Sequence, residues 1–243
     1  MRFRRVAGRP VGARTLGLVA AGGVLIGVGA AAMIAARLGV TPWDVLTTAV
    51  SDRAGVSVGV AGAALSVAVY LLCAPFGRLP GWGNAVLLVT VSAAVDAGLA
   101  VLGEPGPTAG RVLLFGVGVP VVCLGVALIV RADIGVGPLE MVMLVATDRS
   151  VPLVRARVAI EATTLTVGWA LGGALGLGTA GFALAAGPLI AGSLRLLESG
   201  RGGRAAGPPS GTGGEELEGD DGQVAQHGED GGHRTRGDER PAG

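Results

Sequence analysis

Long runs of hydrophobic residues, separated by short polar segments, dominate this chain. Six runs are long and apolar enough to form helices that cross a bilayer, which takes about 20 residues. We expect helices because an open strand would leave backbone groups without hydrogen-bond partners in lipid. The six predicted spans are residues 16–36, 56–74, 85–102, 112–130, 153–174 and 179–197. The pattern therefore predicts an all-α membrane protein with about six transmembrane helices.

Two shorter segments follow the first and fourth runs and lack the length to cross a bilayer. The first begins with Thr41, Pro42, Trp43 and Asp44, which places threonine at the N-cap, proline at the first helical position and aspartate at the third. Its counterpart begins at Pro138, with Gly137 directly before it and Glu140 two positions after it. Each segment predicts a short helix that starts at a proline.

The two short segments belong to an internal repeat with an offset of 96 residues. Residues 38–44 align with 134–140 and, after one deleted residue, 81–84 align with 176–179. Each copy contains three predicted spans, and an odd number inverts the second copy relative to the first, as in many secondary transporters. We therefore predict two inverted three-helix repeats, each with a proline-initiated half-helix. The predicted repeats comprise residues 15–104 and 110–198.

The placement of arginine predicts the orientation in the membrane. All nineteen basic residues are arginines; of the sixteen up to position 204, thirteen lie in termini and connections on one side of the predicted spans, and three lie on the other. Because cytoplasmic segments carry the excess of positive charge, we expect both termini in the cytoplasm. Residues 1–14 form a predicted arginine-rich cytoplasmic arm. Residues 199–243 have little apolar surface to bury, so we expect a disordered cytoplasmic tail.

Acidic residues at predicted membrane depth are candidate ligands for a solute or an ion. Asp96 and Glu161 lie within predicted spans, where an ionisable group costs about 2.5–3.5 kcal/mol and normally faces protein or water. Each belongs either to a proton or cation relay or to a set of helix-packing hydrogen bonds. Glu161 also lies four residues after Arg157, a spacing at which the two side chains can pair on one helix.

Two further acids, Asp44 and Glu140, stand in the first turns of the two predicted half-helices. One interpretation is that each bonds free backbone N–H groups of its own helix and contributes about 0.3–1 kcal/mol. The other is that the half-helices face a central cavity, one from each side of the membrane. Both interpretations can hold together. Acids that face a cavity favour a cationic or neutral solute over an anion.

The predicted membrane part lacks the residue sets of common catalytic and cofactor sites. Both histidines, His227 and His233, lie in the tail, and no Cys/His, Ser/His/Asp or HExxH arrangement occurs. The glycine-rich runs lie inside apolar spans rather than between a strand and a helix, unlike phosphate-binding loops. We therefore expect neither an enzyme nor a nucleic-acid-binding protein, and no cofactor. The lipid bilayer is the expected partner, and a small solute or cation, a second copy or a cytoplasmic protein are left open.

Several stretches of the chain carry the motifs of a known family. They are residues 38–46, 135–138, 168–173, 176–179 and 187–188, together with Glu161. These motifs resemble the YczE/YitT-type bacterial integral membrane proteins, most closely the YczE-like branch, over residues 15–198. The helix-start and packing positions that match are Pro42, Trp43, Pro138, Gly178, Thr179, Gly187 and Pro188. The resemblance implies a multi-pass protein of the bacterial cell membrane and no established substrate.

The inverted repeat, the paired half-helices and the intramembrane acids together predict a small-solute permease with a site near the membrane midplane. The alternative is a membrane protein that transports nothing and instead scaffolds or regulates a cytoplasmic partner through its basic inner surface and its tail.

Overall fold

The computed structural model describes residues 12–103 and 106–202, the last four of these by their backbone alone. Within these ranges the chain is helical and contains no strand. Most of the predicted arm and the predicted tail lie outside the described residues. The eight α-helices are α1 Ala13–Ala36, α2 Pro42–Ala54, α3 Val58–Cys73, α4 Trp82–Leu102, α5 Thr108–Ala132, α6 Pro138–Asp148, α7 Leu153–Ala170 and α8 Leu177–Gly202.

Five of the described helices are long and apolar enough to cross a membrane. They are Ala13–Ala36, Val58–Phe76, Trp82–Leu102, Thr108–Ala132 and Leu177–Glu198. The prediction of an all-α membrane protein is confirmed at this level. The predicted fifth span, residues 153–174, corresponds to α7, which has 18 residues and ends at Ala170. It is not among the five because Arg155, Arg157 and Glu161 lower its hydropathy.

The short helices α2 and α6 begin at the predicted prolines. In α2 the Thr41 hydroxyl accepts a hydrogen bond from the Asp44 backbone N–H at 3.2 Å and donates one to Asp44 Oδ2 at 2.7 Å. This is the predicted N-cap, and it satisfies one of the free N–H groups of the first turn. In α6 the N-cap residue is Gly137, and the Glu140 carboxylate folds back into the space that a Cβ at this glycine would occupy.

The long helices α1 and α5 cross through glycines. A Cβ added at Gly22 would lie 2.9 Å from the carbonyl oxygen of Gly125, and one added at Gly29 would lie 2.8 Å from that of Gly118. The order of the pairs is reversed along the two helices, so α1 and α5 run antiparallel. The offset of 96 residues relates Gly22 to Gly118 and Gly29 to Gly125. The crossing therefore joins equivalent positions of the two repeats.

The helix α4 packs along α1 in the same direction. A Cβ at Gly23 would meet the Thr90 side chain, and one at Gly98 would lie 2.6 Å from the Cβ of Ala31. On the other side of the crossing, α8 packs against α5, where Cys123 and Ala186 are buried in one apolar cluster. Small or apolar side chains therefore hold α4 against α1 and α8 against α5.

Connecting loops of one repeat are bonded to helix starts of the other. The Val40 N–H donates to Thr179 Oγ1 at 3.1 Å, and Asn84 Nδ2 donates to the Val136 carbonyl oxygen at 2.7 Å. The sequence alignment relates Val40 to Val136 and Asn84 to Thr179, so the two contacts join corresponding residues, although Val40 donates and Val136 accepts. Gly135, with φ +84°, adopts the left-handed backbone that glycine tolerates and lies against the backbone at residue 83.

The C-terminal ends of α2 and α6 are also held by the other repeat. Arg53, at the end of α2, donates from Nε to the carbonyl oxygen of Leu171 at 2.9 Å. Its equivalent Arg149 lies over the Phe76 ring, 4.1 Å from the centroid. At the end of α6, Asp148 also forms an ion pair with Arg78, with 2.7 Å between its Oδ2 and the arginine Nη2. Each short helix is therefore attached at both ends to the half of the chain that does not contain it.

Replacing Gly125 with alanine is expected to weaken the α1–α5 crossing, because a Cβ there would lie 2.7 Å from the Gly22 carbonyl oxygen. The free energy of unfolding should fall by about 1–3 kcal/mol. The measurement is the midpoint of thermal unfolding in detergent. Gly116→Ala is the matched control on the same helix, since a Cβ there meets nothing within 4 Å. Equal midpoints for the two variants would contradict the glycine crossing.

Candidate functional site

A cavity of about 250 Å³ opens between the N-terminal ends of α2 and α6. Residues 41–44 line it from α2 and its N-cap, and residues 137–140 line it from α6 and its N-cap. All eight helices contribute to its wall. The loop contacts between the two halves of the chain bring the starts of α2 and α6 together, and these contacts therefore determine where the cavity lies.

Asp44 is the most enclosed acid of the cavity, with 8% of its surface exposed. Its Oδ2 accepts the hydrogen bond from the Thr41 hydroxyl. Burial raises the pKa of Asp44 to about 6, against a smaller lowering by the hydrogen bond from Thr41. Asp44 therefore stabilises its own helix and also borders the cavity, as the two interpretations from the sequence allowed together.

A second set of charged side chains lies where α6 packs against α7. Arg157 Nε and Glu161 Oε1 are 2.9 Å apart, so the pair expected from their spacing is present. Both residues line the cavity together with Glu140, whose side chain is exposed to it. Enclosure by protein atoms raises the pKa of Glu140, while the nearby Arg157 charge lowers it and the Glu161 charge raises it. The three side chains therefore form one interacting cluster.

Tyr70 is a cavity residue that the sequence did not identify as a candidate. Its hydroxyl donates to the carbonyl oxygen of Val136 at 2.9 Å, the same oxygen that accepts from Asn84. Ser66, one turn earlier on α3, also lines the cavity. A signal was available, because this is the single tyrosine of the chain and a tyrosine hydroxyl inside an apolar run needs a polar partner.

Asp96 is the one predicted site residue of the four acids that does not line the cavity. Its carboxylate accepts hydrogen bonds from the Ser57 hydroxyl at 2.6 Å and from the Gly59 backbone N–H at 2.7 Å. These groups lie at the start of α3, so Asp96 joins α4 to α3 and satisfies a free N–H of its first turn. The structure thus places Asp96 as the helix-packing hydrogen bonder that the sequence left as an alternative.

The predicted motif positions divide between the cavity and the packing around it. Pro42, Trp43 and Pro138 line the cavity. Gly178 and Thr179 start α8 and hold the first connecting loop, since the Gly178 N–H donates to the carbonyl oxygen of residue 38 at 2.8 Å. The last two motif residues, 187 and 188, lie within α8, where a Cβ at Gly187 would meet nothing within 4 Å and Pro188 is inside the helix.

Comparison with known proteins finds relatives over most of the chain. The model of a family of unknown function, DUF6198, matches residues 13–194. An uncharacterized protein of Haemophilus influenzae is 26% identical over 169 residues, which cover 68% of this chain and 77% of that protein. The uncharacterized membrane protein YczE of Bacillus subtilis is 27% identical over 162 residues, which cover 65% and 75% of the two chains. No solved structure matches.

Replacing Asp96 with alanine is expected to destabilise the fold, because the hydrogen bonds to Ser57 and Gly59 are both lost. The cost should be about 1–2 kcal/mol, since the site is only partly buried. Thermal unfolding in detergent measures the change. Asp52→Ala, which removes an exposed acid from α2, is the control and should leave the midpoint nearly unchanged. A normal midpoint for Asp96→Ala would show that this carboxylate does not hold α3 and α4 together.

Proposed function

This chain belongs to the family of unknown function DUF6198, and from that premise we propose that it is a small-solute permease of the membrane. The observation that carries the proposal is the cavity between the starts of α2 and α6, bordered by Asp44, Glu140 and the Arg157–Glu161 pair. Short, Pro- or Gly-interrupted helices at matching positions of two halves are typical of solute sites in secondary transporters. The YczE-like resemblance of the motifs is confirmed by the family match and by the similarity to YczE, an uncharacterized membrane protein.

We further propose that the two repeats are inverted around this cavity. The antiparallel crossing of α1 and α5 supports this arrangement. Gly22 contacts Gly125 and Gly29 contacts Gly118, and a twofold axis between the two helices would exchange these two contacts. The loop contacts support it independently: Val40 donates to Thr179 and Val136 accepts from Asn84, so each loop is bonded to the opposite half of the chain.

In this proposal α7 is the sixth crossing helix, as the sequence predicted. Its charges lower its hydropathy, but Arg157 and Glu161 line the cavity and are paired with each other. A charged residue that faces a cavity and has a partner is compatible with a membrane-crossing helix. Alternating access would then come from rocking of one half against the other, with the cavity between α2 and α6 opened to each side in turn.

For the orientation we propose cytoplasmic termini, on the arginine distribution. Single cysteines at positions 52 and 148 test it in a background in which the buried Cys73 and Cys123 are alanines. Because these positions end α2 and α6, a membrane-impermeant maleimide should label Asp52→Cys in right-side-out vesicles and Asp148→Cys in inside-out vesicles. The background without an added cysteine is the control. Labelling of both positions from one side would rule out the inverted arrangement.

The permease proposal itself predicts that the cavity is reached from both sides. In the same background, Ser66→Cys should react with a small impermeant methanethiosulfonate reagent in right-side-out and in inside-out vesicles, because Ser66 lines the cavity. Val67→Cys is the matched control: the next residue on α3 is 46% exposed and does not line the cavity, so it should stay unreactive in lipid. Reaction from one side alone is the result that a scaffold or regulator would give, and it would overturn the permease proposal.

A further inference from the structure

The charges around the cavity do not cancel. Arg157 and Glu161 form an ion pair with each other, so their formal charges sum to zero. The two remaining carboxylates, Asp44 and Glu140, each lie in the first turn of a helix whose N-terminus faces the cavity. A helix N-terminus is equivalent to roughly +0.5 of an elementary charge, so two carboxylates and two helix ends leave a balance of about −1. Such a balance suits one positive charge on a bound solute.

The same two carboxylates have unused hydrogen-bonding capacity. Asp44 has one side-chain donor, the Thr41 hydroxyl, although the residue is more than nine-tenths buried and borders the cavity. No side chain of the described ranges donates a hydrogen bond to Glu140. A carboxylate has about four acceptor positions, so both acids can accept further hydrogen bonds, and a bound ammonium group supplies donors together with the opposite charge.

The larger part of the remaining wall is apolar and aromatic, and hydroxyl side chains such as those of Thr47, Ser66 and Ser92 make up the rest. Trp43 and Phe182 line the cavity with aliphatic side chains such as Leu87, Val91 and Val122. The apolar part of this wall supplies no ligand to an inorganic ion. It does suit a hydrocarbon body, and aromatic faces attract a cationic group. The volume of about 250 Å³ lies below the range of drug-sized pockets, so the body must be small.

We propose that the cavity binds a small amphipathic organic monocation, with its ammonium group at Asp44 and Glu140 and its apolar body against the wall formed by α4, α5 and α8. The inference rests on the proposed function, because it names the class of solute that the permease would carry. Asp44, with a pKa of about 6, is mostly ionised at pH 7.5, so its carboxylate is available for a cation at that pH.

Tryptophan fluorescence tests the proposal on the full chain in lipid nanodiscs at pH 7.5. Trp82 and Trp169 are 78% and 64% exposed, and replacing both with phenylalanine leaves Trp43 at the cavity as the single tryptophan. The probes are phenethylammonium, 2-phenylethanol and phenylacetate, which share one aromatic body and differ in charge. The expected result is a saturable change with phenethylammonium, an affinity at least about tenfold lower for the alcohol, and no saturable change with phenylacetate. Empty nanodiscs correct for partition into lipid.

Variants then assign the charge recognition. Asp44→Asn and Glu140→Gln should each weaken phenethylammonium binding about tenfold or more and leave 2-phenylethanol binding unchanged, since only the charged contact is removed. Asp52→Asn, an exposed acid at the other end of α2, is the control. The midpoint of thermal unfolding is measured for each variant, and the comparison of the three probes on the parent protein does not depend on any variant folding.

Equal affinity for the ammonium and the alcohol, a preference for phenylacetate, or no binding of any probe by folded protein would each overturn the monocation proposal. None of these results bears on two-sided access at Ser66, so the permease proposal would stand or fall separately. Access from one side together with selective ammonium binding would instead retain the site and discard transport.

Discussion

Contact through glycines between α1 and α5 determines how closely the two halves of the protein approach. Helices in lipid gain little from hydrophobic burial, so their association depends on van der Waals contact between surfaces that fit closely. At Gly22–Gly125 and Gly29–Gly118 the absent side chains let the carbonyl oxygen of one helix reach the backbone of the other. Because α4 packs on α1 and α8 packs on α5, the positions of these long helices follow from the crossing.

The connecting loops extend this dependence to the short helices. Val40 and Val136 are held by Thr179 and Asn84, so each short helix starts from a loop that the opposite half positions. The starts of α2 and α6 consequently meet, and the cavity lies where they meet. A carboxylate at the third position of each helix then has two effects at once: it offsets the positive helix end, and it supplies charge to the enclosed volume.

Features that depend on neighbouring residues were predictable from the sequence, and features that depend on distant partners were not. The cap of Thr41 on Asp44 lies within one helical turn, and the lengths of the apolar runs predict most of the membrane helices. Asp96, by contrast, accepts from the Gly59 N–H 37 residues away, and no local pattern separates that contact from a place at the cavity. Tyr70 belongs to the cavity because α3 packs against α6, a tertiary contact that the repeat alone does not specify.

The bond between the first connecting loop and the start of α8 has a consequence for biosynthesis. The Val40 N–H and the Leu38 carbonyl oxygen find their partners at Thr179 and Gly178, about 140 residues later in the chain. Until the ribosome has released that segment, these two groups lack the partners that the finished protein provides, and an unpaired backbone group in lipid is costly. The loop after α1 therefore gains these two hydrogen bonds only after α8 has been synthesised, and a nascent chain that stops before α8 lacks them.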